Sequence, residues 1–115
     1  MRDDSVYLVH VGECIARVEE YTRDGRAAFF ADRRTQDAVL RNLHTLAEST
    51  QRVSEALKAR HPEVDWRGIA GFRNVLVHDY LGVDLQQAWD VVERDLPDLK
   101  SKLAAILREI RGTQP

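Results

Sequence analysis

The chain has 115 residues, of which 43% are hydrophobic and 31% are charged, and this balance predicts one globular domain spanning the whole chain. A formal net charge of −2 argues against a protein that binds nucleic acid over its entire surface. One cysteine excludes an intrachain disulfide, and no apolar run reaches the roughly 18 residues of a membrane span, so we expect a cytoplasmic protein.

Apolar residues repeat at spacings of three and four along most of the chain, which predicts amphipathic helices. The apolar stripes near the two ends of the chain are Leu8, Val11, Ile15 and Val18, and Leu96, Leu99, Leu103, Ile106 and Ile110. Sustained period-two alternation of β-branched and aromatic residues is missing from the sequence, so we predict no sheet. The first helix is expected to begin with Asp4 or Ser5 as its N-cap. Residues 25–32 are expected to form a connector, in which one of the adjacent Phe29 and Phe30 closes the end of a helical bundle.

A long second helix is predicted from Asp32, its N-cap, to about Arg60, before Pro62 stops it. Its buried seam follows a heptad-like pattern made by Val39, Leu43, Leu46, Thr50, Val53 and Leu57. The opposite face has polar residues at helix-pair spacing, and we interpret it as a solvated surface of salt bridges: Arg41, His44, Glu48, Gln51, Glu55 and Lys58.

Two further helices follow. Asp65 is the expected N-cap of the third helix, which leads into the polar stretch 73–80. Asp84 is the expected N-cap of the fourth, and Asp95 is expected to cap a separate continuation because Pro97 is tolerated in a first turn but not in a helix interior. We therefore predict an all-α fold, an antiparallel bundle of four to five helices.

The stretch Arg73-Asn74-Val75-Leu76-Val77-His78-Asp79-Tyr80 places an arginine, an amide, a histidine, a carboxylate and a phenol close together. Each residue of a helix turns the chain by about 100°. Asn74 and His78 therefore lie on one side of the predicted helix, and Arg73 and Tyr80 share a flank. Such a group of side chains is the first place to look for chemistry.

The apolar residues of this helix predict two buried surfaces. Ile69, Phe72 and Leu76 follow a three-then-four spacing and are expected to face the core. Ala70 and Val77 lie between the polar pairs and point away from that core face. A solvated face more often has Lys or Glu at such positions, so we expect either a subunit interface or the wall of a cleft there.

His78 and Arg73 are the residues best suited to catalysis. An unperturbed histidine titrates near neutral pH and can exchange protons, and arginine has forked donors that suit phosphate oxygens. The two lie about 140° apart on an ideal helix. They can converge through the reach of Arg73, through a distorted helix end, or across a twofold interface.

Asn74, one turn before His78, can hold the ring or a phosphate oxygen by hydrogen bonds. The single cysteine and four histidines give no spacing typical of a metal site. The set therefore favours metal-independent phosphoryl transfer with an internal nucleophile such as the 2′-hydroxyl of RNA. The alternative is that Arg73 and His78 are only favourable cations near a helix C-terminus.

Positive charge is concentrated in residues 26–73, which contain nine basic and six acidic side chains. This net +3 leads directly into the Arg73 stretch. It permits local contact with phosphate, but it is too mild to identify a substrate such as tRNA.

Arg73, His78 and Tyr80 fill the pattern Arg-x-x-x-x-His-x-Tyr, with Asn74 directly after the arginine. The pattern resembles that of the HEPN superfamily, and more closely that of the HepT-type toxins of HepT/MntA toxin–antitoxin pairs. The resemblance covers nearly the whole chain and includes Phe29, Asp32, Glu48, His61-Pro62, Trp66, Gly71-Phe72 and the run from Trp89 to Asp95-Leu96-Pro97.

The resemblance implies a HEPN-like homodimer whose two motifs face a shared cleft, and a metal-independent endoribonuclease that needs no cofactor. In that scheme His78 is the general base or acid, and Arg73 stabilises charge on the phosphate. Asn74 positions reacting groups, while Asp79 and Glu48 have supporting roles.

The resemblance also implies control at Tyr80. In this toxin family a partner minimal nucleotidyltransferase, the MntA antitoxin, transfers AMP onto the motif tyrosine. An added nucleotide on Tyr80 places bulk and negative charge where a substrate phosphate would bind.

Two other functions are consistent with the same residues. The chain can be a non-catalytic HEPN-type subunit that binds a nucleotidyltransferase, or a purely structural helical dimer. Growth arrest that depends on His78 would favour the toxin, whereas a structural dimer predicts that changing Arg73 or His78 alters only stability.

Overall fold

The computed structural model describes residues 3–79 and 82–112, and within these ranges the chain is helical and has no strand. The helices are α1 (Asp4–Tyr21), α2 (Arg26–Ala31), α3 (Arg33–Gln51), α4 (Glu55–Arg60), α5 (Trp66–His78), α6 (Leu85–Asp90) and α7 (Leu96–Gly112), with a π-helical turn at Val91–Asp95 between the last two. The predicted all-α fold is confirmed. None of the described helices is both long enough and apolar enough to cross a membrane.

The core lies between the four main helical segments. α1 and α3 form the central pair; α5 packs on α3, and α7 packs on α1. The largest fully buried side chains come mostly from the predicted apolar stripes, and they are Phe29, Leu8, Ile15, Leu43, Leu57 and Ile106. Because α3 contacts both α1 and α5, it connects the core to the helix that contains the polar motif.

The predicted long helix from Asp32 to Arg60 is broken in the structure. Asp32 is its N-cap as expected, but α3 ends at Gln51, and Ser54 is the N-cap of the separate α4, with its hydroxyl accepting from the Leu57 N–H at 3.2 Å. All six predicted seam residues are nevertheless buried. The seam is therefore correct, although the helix is interrupted at residues 52–54.

The break is stabilised by a contact between distant residues. The Asp4 carboxylate accepts hydrogen bonds from the Ser54 N–H at 2.8 Å and from the Ser54 hydroxyl at 2.7 Å. Asp4 is therefore not the N-cap of α1; Asp3 has that position and accepts from the Ser5 N–H at 3.1 Å. A contact across 50 residues leaves no trace in local sequence periodicity.

The connector after α1 is itself helical, as α2. Phe29 is fully buried, packs edge-to-face on Phe30 and lies 5.4 Å from the Trp89 ring, whereas Phe30 is half-buried beneath the guanidinium of Arg26. The Gln36 side chain donates to the carbonyl oxygens of Phe29 and Phe30 and so closes the end of α2. One of the two phenylalanines thus closes the bundle end, as predicted.

The fourth helix begins at its predicted N-cap, Asp84, whose carboxylate accepts from the Gln86 N–H at 2.9 Å. The predicted interruption near Asp95 is present as the π-helical turn at Val91–Asp95, and α7 begins directly after it at Leu96. The predicted capping is wrong, because the backbone stays helical through the turn and the Asp95 side chain accepts no capping hydrogen bond within the described chain. The Leu96 N–H bonds to the Val91 carbonyl, five residues back, in a π turn. The wider turn just before Pro97 accommodates a residue that has no N–H to donate.

Replacing Asp4 with alanine should lower the free energy of unfolding by about 1 kcal/mol, because it removes both acceptors of Ser54. Urea denaturation measures this change. Asp24→Ala, at an exposed position after α1, is the control and should change stability little. Equal effects of the two variants would contradict the stabilising role of the Asp4–Ser54 contact.

Phe29→Ala should destabilise the fold by about 3–5 kcal/mol, since it removes a fully buried ring and leaves a cavity beside Trp89. Phe30→Ala is the matched variant and should cost clearly less, because Phe30 is only half-buried. Thermal and denaturant unfolding of both proteins would test the ranking, and a reversed order would refute it.

Candidate active site

The helix of the polar motif, α5, has the N-terminus that the sequence predicts. Asp65 is its N-cap and accepts from the Gly68 N–H at 2.9 Å. The helix ends at His78, since Asp79 leaves helical geometry (φ −144°, ψ 49°) while its N–H still bonds to the Val75 carbonyl at 2.9 Å. The prediction that Arg73 and Tyr80 share a flank assumed a helix that continues to residue 80. The observed helix ends at His78, so it does not test this prediction.

The two apolar faces of α5 are separate. Leu76 is buried, and Ile69 and Phe72 are half-buried against the core, as expected for the core face. Val77 is 41% exposed and Val75 is 37% exposed, so large apolar side chains lie on the outside of the motif helix. The surface predicted to be covered by a subunit or a cleft consists of Ala70 and Val77; Val77 is exposed, Ala70 is half-buried, and Val75 adds to this apolar surface although the sequence did not point to it.

Arg73 is fixed by a carboxylate from another helix. Its Nε donates to Oε1 of Glu48 on α3 at 2.7 Å, and its Nη1 donates to Oδ1 of Asn74 at 3.2 Å. The Arg73 side chain remains 26% exposed. Arginine has five N–H donors. Two of them are used within the described chain, and the others remain available to an anion.

The contact with Arg73 changes the electrostatics of Glu48. The hydrogen bond from Arg73 lowers the pKa of the Glu48 carboxyl, partly opposed by burial, and the hydrogen bond with His44 lowers it further. A lowered pKa means that the ion pair stabilises the fold above the unfolded-state pKa, and this stabilisation is lost as the pH falls through the folded-state value. At neutral pH Glu48 is therefore ionised, and it can hold Arg73.

The structure brings Glu48, Arg73 and Asn74 together, but within the described chain it does not join them to His78. His78 is exposed at the last position of α5, and the hydrogen bonds of Arg73 within the described chain go to Glu48 and Asn74. Asp79 is the exposed C-cap of α5. Tyr80, the predicted modification site, lies outside the described residues.

His44 belongs to this group, although the sequence pattern placed it on a solvated face. Its Nε2 lies 3.3 Å from Oε1 of Glu48, the oxygen that also accepts from Arg73. Sequence analysis identified the spacing of His44 and Glu48 but gave the histidine no role. The missing information was the position of Arg73, 25 residues after Glu48.

The other histidines have structural contacts elsewhere. His10 pairs with the Ser49 hydroxyl at 2.5 Å on the α1 side of α3. His61 is buried and lies 3.0 Å from the Glu63 carboxylate and 3.7 Å from that of Glu109. Of the four histidines, His44 and His78 lie on α3 and α5, the helices that form the candidate site. His44 is half-buried, and His78 is exposed.

A cavity beside α5 lies on the side of the helix that faces the core. It has a volume of about 340 Å³, and its lining includes Leu46, Gly68, Ile69 and Phe72 but none of Arg73, Asn74, His78 and Asp79, the polar side chains of the motif that the structure describes. A substrate of the motif would therefore approach from solvent, along the exposed surface of α5 and α3. An extended polymer suits such an open surface better than an enclosed small molecule does.

Comparison with known proteins agrees with the motif. The family model described as ribonuclease HepT-like matches residues 11–106. A Thermococcus cleftensis protein named "Probable ribonuclease HepT" is 38% identical over 102 residues, which are 88% of this chain and 93% of that protein. No solved structure matches.

Two relatives come from Methanocaldococcus jannaschii. One, named "Gamma-glutamylcyclotransferase and putative RNase", is 34% identical over 110 residues; the match covers 95% of this chain but only half of that longer protein. The other, named "Putative RNase", is 29% identical, with 96% of this chain and 93% of that protein covered. The family model spans most of the chain, and the chain belongs to the ribonuclease HepT-like family, as its resemblance to HepT-type HEPN proteins predicted.

Proposed function

We propose that this chain is a metal-independent endoribonuclease whose reaction uses Arg73 and His78. The observation that carries the proposal is that Arg73 is held in place while some of its N–H groups make no bond within the described chain. Its Nε donates to Glu48 at 2.7 Å, and its side chain is partly exposed. Family membership and relatives named as ribonucleases support the same activity.

The reaction follows from the chemistry of these groups. The neutral His78 ring accepts the proton of a 2′-hydroxyl, and the resulting oxygen attacks the adjacent phosphorus. The bond from phosphorus to the 5′-oxygen breaks, which leaves a 2′,3′-cyclic phosphate, and the departing 5′-oxygen becomes a hydroxyl by taking a proton from a His78 imidazolium. Arg73 stabilises the additional negative charge on the pentacoordinate phosphorus, and Asn74 orients Arg73 through their hydrogen bond.

The active unit in this proposal is a homodimer. Arg73 and His78 of one copy do not meet in the described chain, and the exposed Val75 and Val77 flank them. A second copy packed on these valines would bury apolar surface and supply a second His78 near the first Arg73. The dimer therefore accounts for the two features that a single chain leaves unexplained.

We further propose that the chain is a toxin silenced by a partner nucleotidyltransferase antitoxin, which attaches AMP to Tyr80. The support is the motif itself, in which Tyr80 follows His78 and Asp79 directly. Transfer joins the tyrosine oxygen to the α-phosphorus of ATP and releases pyrophosphate. The added phosphate would repel RNA from the cation that should bind it.

RNA cleavage provides the direct test of the nuclease. Purified protein free of AMP should cut total RNA in the presence of EDTA and leave cyclic-phosphate ends. His78→Ala and Arg73→Ala should each lower the rate by about 100-fold or more, since they remove the proton acceptor and the charge stabilisation. Glu48→Gln should cost less, because Arg73 stays present but is held without an ionic partner.

Arg67→Ala is the matched control, since Arg67 is an exposed arginine at the start of the same helix. It should leave cleavage nearly unchanged. Circular dichroism establishes that all variants are folded. If the unmodified protein does not cut RNA, or if His78→Ala cuts as well as the original protein, the nuclease is excluded and the non-catalytic binding subunit is favoured.

The modification can be tested by mass spectrometry. Protein produced together with a nucleotidyltransferase encoded beside it should gain the mass of one or more AMP groups on the peptide that contains Tyr80, and it should lose RNA cleavage. Tyr80→Phe should prevent the mass gain. AMP found on another residue, or a modified protein that cleaves normally, would contradict control at Tyr80.

A further inference from the structure

Two basic side chains share one oxygen atom at the candidate site. Oε1 of Glu48 accepts from Arg73 Nε at 2.7 Å, and His44 Nε2 lies 3.3 Å from the same oxygen. His44 is one helical turn before Glu48 on α3, and its side chain is 39% exposed. Its ring can therefore exchange protons with solvent while it remains beside the carboxylate that holds Arg73.

We propose that His44 is a positioning residue that adjusts, through Glu48, how strongly Arg73 attracts a phosphate. When His44 is neutral, the negative charge of Glu48 mainly offsets the positive charge of Arg73. When His44 is protonated, the same carboxylate is shared between two cations, and the group of three has a net charge of +1. RNA binding should then strengthen as the pH falls through the histidine titration range.

The position of the pair distinguishes it from an ordinary surface ion pair. Lys58 and Glu55 are such an ordinary pair, 3.6 Å apart and three residues apart on α4. A change of charge at either of them would stay within that helix. The His44–Glu48 pair includes the carboxylate that fixes the proposed phosphate-binding arginine. A change of charge at His44 is therefore transmitted through a single shared oxygen to a residue of another helix.

The other charged groups near this pair are known. Arg41 lies on α3 about one turn before His44, Arg52 is the C-cap of α3 about one turn after Glu48, and both are exposed. On α5, Arg73 is the charged partner of Glu48, and His78 lies at the helix end. On the α1 side of α3, His10 is directed to Ser49 rather than to Glu48. Of the histidines in this set, His44 is the one that contacts the Glu48 carboxylate.

The first test does not depend on nuclease activity. The ¹⁵N–¹H signal of Arg73 Nε should shift with a histidine titration between about pH 5 and 8. In His44→Gln, which keeps a neutral donor at this position, the signal should stay constant. His10→Gln is the control and should keep the original titration, because the His10 ring bonds to Ser49 rather than to Glu48. A constant signal in the original protein, or an unchanged titration in His44→Gln, would overturn the proposal.

The second test rests on the proposed function. Fluorescence anisotropy with a 2′-O-methyl RNA oligonucleotide measures binding without cleavage. Affinity should rise about two- to fivefold on lowering the pH through the histidine range, an effect of the size expected for one exposed charge. His44→Gln should lose this increase, and His10→Gln should retain it, because His10 bonds to Ser49 outside the candidate site. The same pH dependence in the original protein and in His44→Gln would overturn the coupling to RNA.

The two hypotheses fail in different ways. If the Arg73 signal titrates with His44 but no RNA binds at any pH, the proposed nuclease is wrong and the link from His44 to Arg73 stands. If RNA is bound and cut while the pH dependence of the Arg73 signal is the same with and without His44, the proposed nuclease stands and the proposed role of His44 is wrong. The NMR measurement therefore decides the role of His44 independently of the reaction.

Discussion

The ion pair between Glu48 and Arg73 is the contact on which the arrangement of the candidate site depends. Its carboxylate comes from α3, which packs on both α1 and α5, and its guanidinium comes from the motif helix α5. Because both side chains are partly exposed, the pair adds little to the stability of the fold. Its importance is geometric: it holds a long, flexible cation in one place while most of its donors remain available.

Local patterns were sufficient where the structure is determined by local contacts. The spacing of apolar residues predicted the core-facing stripes of α1, α3 and α7, and Asp65 and Asp84 cap helices where an acidic residue precedes a periodic run. The motif residues were also found by spacing and resemblance. The helical fold and the identity of the candidate residues were thus predictable from the chain alone.

Local patterns failed where distant residues determine the structure. The seam of α3 continues in register across the break, with Val53 and Leu57 both buried, so periodicity gave no sign of an interruption. Ser54 can start a new helix because Asp4, the first residue of α1, accepts hydrogen bonds from its N–H and its hydroxyl. The pair of His44 and Glu48 resembled an ordinary surface pair in the sequence for the same reason. Arg73 contacts Glu48 only in the folded chain, because it lies 25 residues further along the sequence.

The spacing of the motif itself explains why Arg73 and His78, the two groups of the proposed reaction, lie apart in one chain. Five residues separate Arg73 from His78, and that separation places them about 140° apart around a helix. Glu48 draws the guanidinium toward α3, and Asn74 uses another of its donors, so Arg73 is committed to one side of α5. His78 is exposed at the helix end instead. A phosphate that contacts both groups must lie across the end of α5 or between two copies of it. The exposed Val75 and Val77 favour the second arrangement, because covering them is energetically favourable and brings two such helices together.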